Sequence, residues 1–163
     1  MENKIDSKLL RKVAGAFATG VTVVTAQKED GDIQGMTANS FLSVSLDPPL
    51  VAFSVREQGS LMQQLQVGKA VGISILSDQQ ETISNYFASR NHPPIEVQFE
   101  EQENGAFTIG GSLAWYATTI TEIITAGDHF LILCTVNDLN RSEEGSPLLY
   151  YAGYQSLSPK NIA

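Results

Sequence analysis

The chain has 163 residues, of which 42% are hydrophobic, and it carries a formal net charge of -8 at neutral pH. This length is typical of one domain with a substantial core, and we predict a single domain over residues 1–163. The acidity argues against nucleic acid as the main partner, because phosphate contacts need a basic surface. No apolar run reaches the roughly 20 residues that cross a bilayer, so no membrane association is expected.

The N-terminus and the cysteine content indicate a cytoplasmic location. Residues 1–6 contain no apolar segment that would serve in a signal peptide. Cys134 is the single cysteine of the sequence. An internal disulfide is therefore impossible, and a reducing compartment fits the composition.

The first predicted element is a helix from about residue 6 to residue 18. Asp6 or Ser7 is expected to cap it, and Gly20 is expected to end it. Apolar side chains recur at the i, i+3, i+4, i+7 spacing and predict one buried face. These side chains are Leu10, Val13, Ala14 and Phe17.

A β-hairpin is predicted next. β-Branched residues dominate positions 21–26, the turn signal Glu29–Asp32 follows, and Ile33 begins the return strand. We expect this strand to lead into a loop from Thr37 to Ser45.

The stretch from Gly35 to Pro49 mixes small polar side chains with apolar ones. Surface loops seldom contain so many apolar residues, and core strands seldom contain so many polar ones. Small hydroxyl and amide groups beside apolar support suit a flat ligand that is apolar on its faces and hydrogen-bonds at its edge, such as an isoalloxazine ring. The polar members are Thr37, Asn39, Ser40, Ser43 and Ser45.

A central strand over residues 50–55 follows, and Arg56 stands at its exit. Ser60 and Gln63 form a capping-box pattern that predicts a short helix ending at Gly68. A helix N-terminus offers free amide donors to a phosphate, so Arg56 and Ser60 are candidates for phosphate binding. Taken alone, the pair is better explained as a surface cation and an ordinary N-cap.

A strand over residues 71–76 precedes a second predicted helix, which runs from Ser77 to about Ala88. Ser77 and Gln80 repeat the capping-box pattern at its start. The side chains expected to be buried are Ile83, Tyr86 and Phe87.

The remaining chain predicts short strands joined by turns. Residues 89–103 are interpreted as a connection over the surface. Asn104-Gly105 is a turn signal between possible strands at Val97–Phe99 and Phe107–Ile109. Further strands are predicted over about 112–124, 130–136 and 148–151, before a flexible C-terminal tail.

Short strands joined by hairpins, with few helices, predict a mainly β protein with helices (α+β), built as an antiparallel β-barrel over about residues 21–154. The alternative, a doubly wound α/β domain, would need regular strand–helix alternation and a glycine-rich phosphate turn. No G-x-G-x-x-G occurs in the sequence. A nicotinamide cofactor would therefore be bound without a Rossmann unit.

Gly127-Asp128-His129, ahead of an apolar strand, is a second candidate for chemistry. Gly127 permits positive φ, Asp128 can accept from turn amides, and His129 would project towards a pocket. Taken alone, a lone histidine here is better explained as an incidental residue of a hairpin turn. Cys134 is interpreted as a small core residue, and His92 has no metal-ligand spacing around it.

These motifs resemble those of the flavin reductase family. The similarity spans about Val13 to Tyr151 and is carried by Phe17–Thr25, Gly35–Phe41, Ser43–Pro49 and Gly127–His129. It implies an antiparallel split β-barrel of the flavin reductase type, often the reductase component of two-component flavin monooxygenases. The resemblance also implies a homodimer.

The resemblance assigns expected roles to individual residues. The central stretch would contact the flavin ring and ribityl chain, and the next strand would lie near the ribityl and phosphate groups. His129 would act in catalysis by positioning the nicotinamide side, with Asp128 beside it. The expected cofactor-binding residues are Thr37, Ala38, Asn39, Ser40, Ser54, Arg56, Ser60, Asp128 and His129.

The function that follows is an NAD(P)H:flavin oxidoreductase that transfers hydride from NADH or NADPH to FMN or FAD. Reduced flavin would then be supplied to a partner monooxygenase. The alternative is a non-catalytic FMN-binding or electron-carrier protein of the same fold. Ala152 and Gly153 follow the last strand where relatives often carry basic residues, which leaves the choice between NADH and NADPH open.

Overall fold

The structure is a computed structural model that describes residues 4–157. This part of the chain is mainly β, with two α-helices and antiparallel sheets, as predicted. None of its helices is long and apolar enough to cross a membrane. The elements are α1 Ser7–Ala14, β1 Thr19–Gly20, β2 Thr22–Gln27, β3 Ile33–Ala38, β4 Leu42–Leu46, β5 Pro49–Arg56, β6 Ala70–Ile75, α2 Glu81–Ala88, β7 Phe99–Glu101, β8 Phe107–Ile109, β9 Ala114–Ala126, β10 His129–Arg141, β11 Leu148–Tyr150 and β12 Tyr154–Ser156.

Seven strands form one antiparallel sheet in the order β3-β2-β6-β9-β10-β5-β4. Across residues 4–157, the edge strands β3 and β4 are not hydrogen-bonded to each other, so the sheet is not closed. They are nevertheless consecutive in the chain and separated by residues 39–41 alone. Two smaller sheets, β1-β11-β12 and β7-β8, complete the fold.

The longest hairpin joins β9 to β10 through Gly127, whose φ of 66° is in the left-handed region that glycine adopts without strain. This turn confirms the sequence-based prediction. β9 has the predicted length but lies two residues further along the chain, and β10 is longer than expected. The hairpin sets the first residue of β10, His129, opposite the last residue of β5, Arg56.

The core contains two clusters of buried apolar side chains. Cys134 belongs to the first, is fully buried, and has its pKa raised to about 11 by burial, as expected for a core residue. The first cluster also includes Val24, Val55, Phe53, Leu61, Ile73, Ile120 and Ile132. The second includes Val21, Val23, Leu76, Ile109 and Leu148.

Three buried hydroxyl side chains brace the middle of the sheet, and we call Thr25, Ser74 and Thr118 the buried hydroxyl cluster. Thr25 donates to the carbonyl oxygens of Gly72 and Phe107. Ser74 and Thr118 bond backbone groups at 2.9 and 2.8 Å. Gly72 has no space for a side chain, because a Cβ there would lie 1.7 Å from the Phe107 carbonyl oxygen.

The predicted turn at Asn104-Gly105 joins β7 to β8, and Gly105 has a φ of 85°. The Asn104 side-chain nitrogen donates to the Thr118 carbonyl at 3.0 Å and to the Asn137 side-chain oxygen at 3.1 Å. The first strand of this hairpin is Phe99–Glu101 rather than Val97–Phe99. The register explains the difference, because Phe99 pairs with Ile109 across the hairpin.

The N-terminal helix is shorter than predicted and is not buried. The Asp6 carboxylate caps it by accepting from the Lys8 amide at 3.1 Å, but the helix ends at Ala14 with Gly15 as its C-cap, well before Gly20. The periodicity of the sequence shows that one face of the helix is apolar. It does not show whether another segment of the chain packs against that face. The four side chains predicted to be buried are exposed: Leu10, Val13, Ala14 and Phe17.

The helix predicted at Ser60 is also wrong, since only a 3₁₀ turn forms over Met62–Gln64. Ser60 does not cap it; the Ser60 hydroxyl accepts from the Gln34 side-chain nitrogen at 3.3 Å instead. Leu65 is already extended, with φ -96° and ψ 129°, and it is buried. Burial of this side chain ends the helical turn, so the predicted helix N-terminus for a phosphate does not exist.

The second helix begins at Glu81 rather than at Ser77. The Gln80 side chain does accept from the Ser77 amide, at 3.0 Å, as in a capping box. Ser77 is instead held in a β-bridge with Pro147, which keeps it out of the helix. Ser84 is the fully buried residue of α2, while the three side chains predicted to be buried are half-buried: Ile83, Tyr86 and Phe87.

The predicted flexible tail begins too early. The last predicted strand ends at Tyr150, and the chain then turns and forms β12, which pairs with β11. Edge pairing and the packing of Tyr154 against the second core cluster hold this strand in place. The remainder of the predicted tail, residues 158–163, lies outside the described residues.

Candidate functional site

A cleft of about 1060 Å³ opens between β3, the adjoining ends of β5 and β10, and α2 with the segment that follows it. Eight of the nine site residues predicted from the sequence line this cleft: Thr37, Ala38, Asn39, Ser40, Ser54, Arg56, Ser60 and His129. The ninth, Asp128, lies beside His129 but outside the lining.

The central stretch is mostly strand rather than loop. β3 continues to Ala38, which pairs with Thr22, and β4 begins at Leu42. The expected loop from Thr37 to Ser45 is therefore reduced to residues 39–41, because strand pairing uses the backbone on both sides. Ser43 and Ser45 pair with β5 and do not line the cleft.

The Thr37 and Ser40 hydroxyl groups of this stretch form hydrogen bonds to other segments of the protein. The Thr37 hydroxyl donates to the Ser84 carbonyl oxygen at 2.6 Å. The Ser40 hydroxyl donates to the Ser54 carbonyl at 3.2 Å and accepts from the Ser54 amide at 3.1 Å. These bonds brace the end of β3 against α2 and β5, and they leave hydroxyl lone pairs and backbone groups for a ligand.

β3 offers such backbone groups because it is an edge strand. In the described sheet it pairs with β2 on one side alone. Alternate residues of an edge strand direct unpaired N–H and C=O groups outward. Because β3 also lines the cleft, such groups are suited to hydrogen-bond the edge of a planar ring.

Two arginines border the cleft although the protein is acidic. Its lining includes Arg56 and Arg90, and among the described residues that form it there is no Asp or Glu. The formal net charge of the chain is -8. A concave surface with charges of one sign concentrates its field, so this cleft is suited to an anionic ligand.

Arg90 and His92 were missed because residues 89–103 were interpreted as a surface connection. They lie on that connection, but they also line the cleft. The sequence carries a weak signal for this role. Residues 89–94 contain no acidic side chain, whereas residues 96–103 contain four glutamates.

His129 and Arg56 stand side by side at the cleft, as direct partners across β10 and β5. The Asp128 carboxylate lies 2.7 Å from Nδ1 of His129. This hydrogen bond, and then the charges of His129 and Arg56, lower the pKa of Asp128. Asp128 is therefore a carboxylate that orients the imidazole and leaves Nε2 available to a ligand.

Aromatic side chains of α2 form an apolar wall of the cleft. Tyr86 and Phe87 of α2 pack edge to face, with ring centroids 4.9 Å apart. Phe87 also lies directly over Gly35 of β3, where a Cβ would come within 2.5 Å of the ring. Phe87 also packs against the second core cluster, as the sequence predicts, whereas Tyr86 belongs to neither cluster of the described residues. Gly35 is the sequence feature that permits the Phe87 contact.

The cleft thus combines an apolar wall, a hydrogen-bonding strand edge and arginines. These features fit a planar ring system that carries a phosphate-containing tail, as in a flavin nucleotide. The chemistry open to the protein's own side chains is binding, orientation and exclusion of water. His129 is the one predicted catalytic residue within this set.

The sequence matches the family described as flavin reductase like domain over residues 14–158. An NADH-dependent flavin reductase of a Rhodococcus species is 42% identical over 151 residues, which cover 91% of this chain and 85% of that protein. The reductase component of 4-hydroxyphenylacetate 3-monooxygenase from Thermus thermophilus is 36% identical, with 90% of this chain and 94% of that protein covered. A solved structure of a Streptomyces globisporus NADH:FAD oxidoreductase with NAD and FAD fragments superposes with a TM-score of 0.86 at 33% identity, covering 98% of this chain and 99% of that chain.

Proposed function

Because the chain belongs to the flavin reductase family, we propose that it is an NADH-dependent flavin reductase, which transfers hydride from NADH to FMN or FAD. The observation that carries this proposal is the cleft, where eight residues predicted for flavin and nicotinamide binding come together from four separate segments of the chain. NADH is proposed as the donor because the similar Rhodococcus protein is named NADH-dependent.

The cleft residues divide into groups with different proposed roles. The β3 edge, with Thr37 and the exposed Asn39, would hold the edge of the flavin ring. Ser40 would hold residues 39–41, which connect β3 to β4, in place through its two hydrogen bonds to Ser54. Arg56 would bind the phosphate, aided by Ser60 as a side-chain donor rather than as a helix cap.

When bound, the flavin supplies the hydride-accepting ring and NADH supplies the hydride. The protein contributes alignment, on which the rate of transfer between two rings depends. His129, held by Asp128 at 2.7 Å, would position the nicotinamide side through Nε2. Its role is catalytic through contact with the substrate, and no proton has to be moved by the imidazole.

We also propose that the chain is a single domain with the split-barrel form. β3 and β4 stand at opposite edges of a seven-stranded sheet, and residues 39–41 alone connect them. A flat sheet would separate these edges by about 29 Å, whereas such a connection spans at most about 14 Å. The sheet must therefore curl, and Phe41 in the connection packs 5.5 Å from Tyr116 of β9.

We propose that the enzyme is a homodimer. Apolar side chains of α1, β4 and the turn after α1 are exposed, and a second copy would cover them: Leu9, Leu10, Val13, Phe17, Leu42, Val44 and Leu46. Sedimentation velocity should therefore give twice the chain mass of 17.6 kDa.

The product of the reaction indicates the partner. Reduced flavin would be supplied to a monooxygenase component, the relation that the name of the Thermus thermophilus relative describes for that protein. We propose a cytoplasmic location for this exchange, consistent with a single buried thiol and no disulfide.

The proposal is tested by measuring NADH oxidation by the purified protein with added FMN or FAD. Steady turnover is expected, and NADPH should be consumed less efficiently. Flavin binding without NADH consumption would instead identify the carrier protein. His129→Ala should raise the KM for NADH, and an unchanged KM and kcat would remove His129 from the site.

A further inference from the structure

We infer that Tyr154, in the C-terminal β11–β12 hairpin, is a positioning residue for the cleft. Acting through Ser84, it fixes helix α2 against strand β3 and thereby sets the affinity for flavin. This inference rests on the proposed flavin binding. Tyr154 itself is outside the cleft lining.

Three residues form a continuous connection from the hairpin to the cleft. The hydroxyl groups of Tyr154 and Ser84 are 2.7 Å apart. Ser84 is fully buried in the middle of α2. Its carbonyl oxygen accepts the hydrogen bond from Thr37, at 2.6 Å, and Thr37 lines the cleft.

The position of α2 matters because its C-terminal half forms one wall of the cleft. Tyr86 and Phe87 lie in that half, and Arg90 follows shortly after the helix end. Phe87 is pressed against Gly35, with no space between the ring and the strand for even one additional carbon atom. A shift of α2 would therefore move the apolar wall and the Arg90 guanidinium together.

The hairpin that carries Tyr154 is itself firmly anchored. Leu148 of β11 is 2% exposed, and its amide donates to the Leu76 carbonyl at 3.0 Å. β11 also pairs with β1 through Tyr150 and Thr19. The hairpin is thus a fixed support, and the Tyr154–Ser84 bond transmits its position to the helix.

Removal of the Tyr154 hydroxyl leaves the fully buried Ser84 hydroxyl without its partner, and removal of the Ser84 hydroxyl leaves the half-buried Tyr154 hydroxyl without its partner. Either change is more costly than removal of both hydroxyls. The helix can relieve this cost by moving away from its support. The fraction of molecules with a competent cleft then falls, and the apparent dissociation constant for flavin rises in proportion. Saturating flavin restores the competent state, so kcat should be unchanged.

The test compares Tyr154→Phe, Ser84→Ala and the double variant with the wild-type protein. Flavin dissociation constants are measured by fluorescence quenching, thermal stability is measured without flavin, and KM and kcat are measured with NADH. Each single variant should raise the flavin Kd about threefold to tenfold, with kcat unchanged. The double variant should bind flavin more tightly than either single variant.

Tyr150→Phe is the matched control, because Tyr150 lies opposite Tyr154 in the same hairpin and is 46% exposed. It should bind flavin like the wild type. If the wild-type protein does not bind flavin, the proposed function fails and the inference fails with it. If the wild type binds but Tyr154→Phe lowers thermal stability with no change in flavin Kd, Tyr154 is merely structural and the inference is overturned. Additive losses in the double variant would also overturn it.

Discussion

Two groups of small hydroxyl side chains in this protein have the same chemistry and different surroundings. The buried hydroxyl cluster, Thr25, Ser74 and Thr118, lies inside the sheet and is inaccessible to solvent. The cleft group, Thr37 and Ser40, is half-buried. In both groups the hydroxyls bond backbone atoms of a neighbouring segment.

The comparison shows that a high density of hydroxyl residues does not by itself identify a ligand site. In both regions the side chains brace strands. The cleft differs because its strand has a free edge and because Arg56 and Arg90 face the opening. The sequence argument from small polar residues therefore identified a stretch that lines the cleft, although the Thr37 and Ser40 hydroxyls donate to carbonyl oxygens within the protein.

The largest expected effect is a loss of stability caused by adding a side chain at Gly72, beside the buried hydroxyl cluster. Gly72→Ala would place a Cβ 1.7 Å from the Phe107 carbonyl oxygen and 2.8 Å from the Thr25 hydroxyl. Because β8 must move, we expect the free energy of unfolding to fall by about 3 kcal/mol or more. Urea unfolding measures this loss. Gly20→Ala is the control, since no atom lies within 4 Å of a Cβ at that position, and an equal loss there would contradict the argument.

The second variant changes a residue of the cleft and leaves the core unchanged. Arg56→Ala should weaken flavin binding about tenfold through loss of a charge-assisted contact, with little change in stability, because the side chain is exposed. Added salt should weaken binding by the wild type more than by the variant. Flavin titration provides the measurement. Arg141→Ala, at the opposite end of β10, should bind as the wild type does.

A third comparison substitutes one hydroxyl residue from each region. Thr118→Val removes the bond to the Val71 carbonyl and should lower the free energy of unfolding by about 1 kcal/mol, without changing flavin Kd. Thr37→Val removes the bond to Ser84 and should raise flavin Kd as well. If the two variants had the same flavin Kd, the Thr37 hydroxyl would contribute no more to flavin binding than the buried Thr118 hydroxyl.

The smallest expected effect concerns Asp128, whose exposed carboxylate has its pKa lowered first by the hydrogen bond with His129. A carboxylate with a lowered folded-state pKa contributes stability above its unfolded pKa and loses it as pH falls through the folded pKa. This contribution should therefore disappear in acid. In His129→Ala the pKa of Asp128 should rise towards its ordinary value, as measured by NMR titration. Asp30, whose pKa is lowered chiefly by the Asp32 backbone amide, should not change.

Local signals predicted the elements that depend on local chemistry. The turns at Asn104-Gly105 and Gly127 were found because the residues themselves favour them. Capping patterns were less reliable. Ser60 and Ser77 both have a suitable partner three residues later, but a buried Leu65 and the bridge to Pro147 prevent helix formation at these positions.

Features that depend on distant contacts could not be predicted. The apolar face of α1 was expected to be buried, and nothing in its spacing shows that the chain leaves it exposed. Arg90 and His92 line the cleft because α2 packs on β3, and the local sequence indicates this only weakly, through the lack of acidic side chains in residues 89–94. The family resemblance assigned ligand binding to nine residues, and eight of them line one cleft. A family pattern carries three-dimensional information that spacing alone does not.

The turn at Asn104 also has a consequence for the storage of the purified protein. Asparagine followed by glycine is the pair most prone to loss of ammonia, which converts the amide to a carboxylate. Here that change would replace a donor with a negative charge facing two acceptor oxygens, those of Thr118 and Asn137. Aged samples should therefore show an added acidic species by isoelectric focusing, with a loosened β7–β8 hairpin, and Asn104→Asp reproduces the added charge directly.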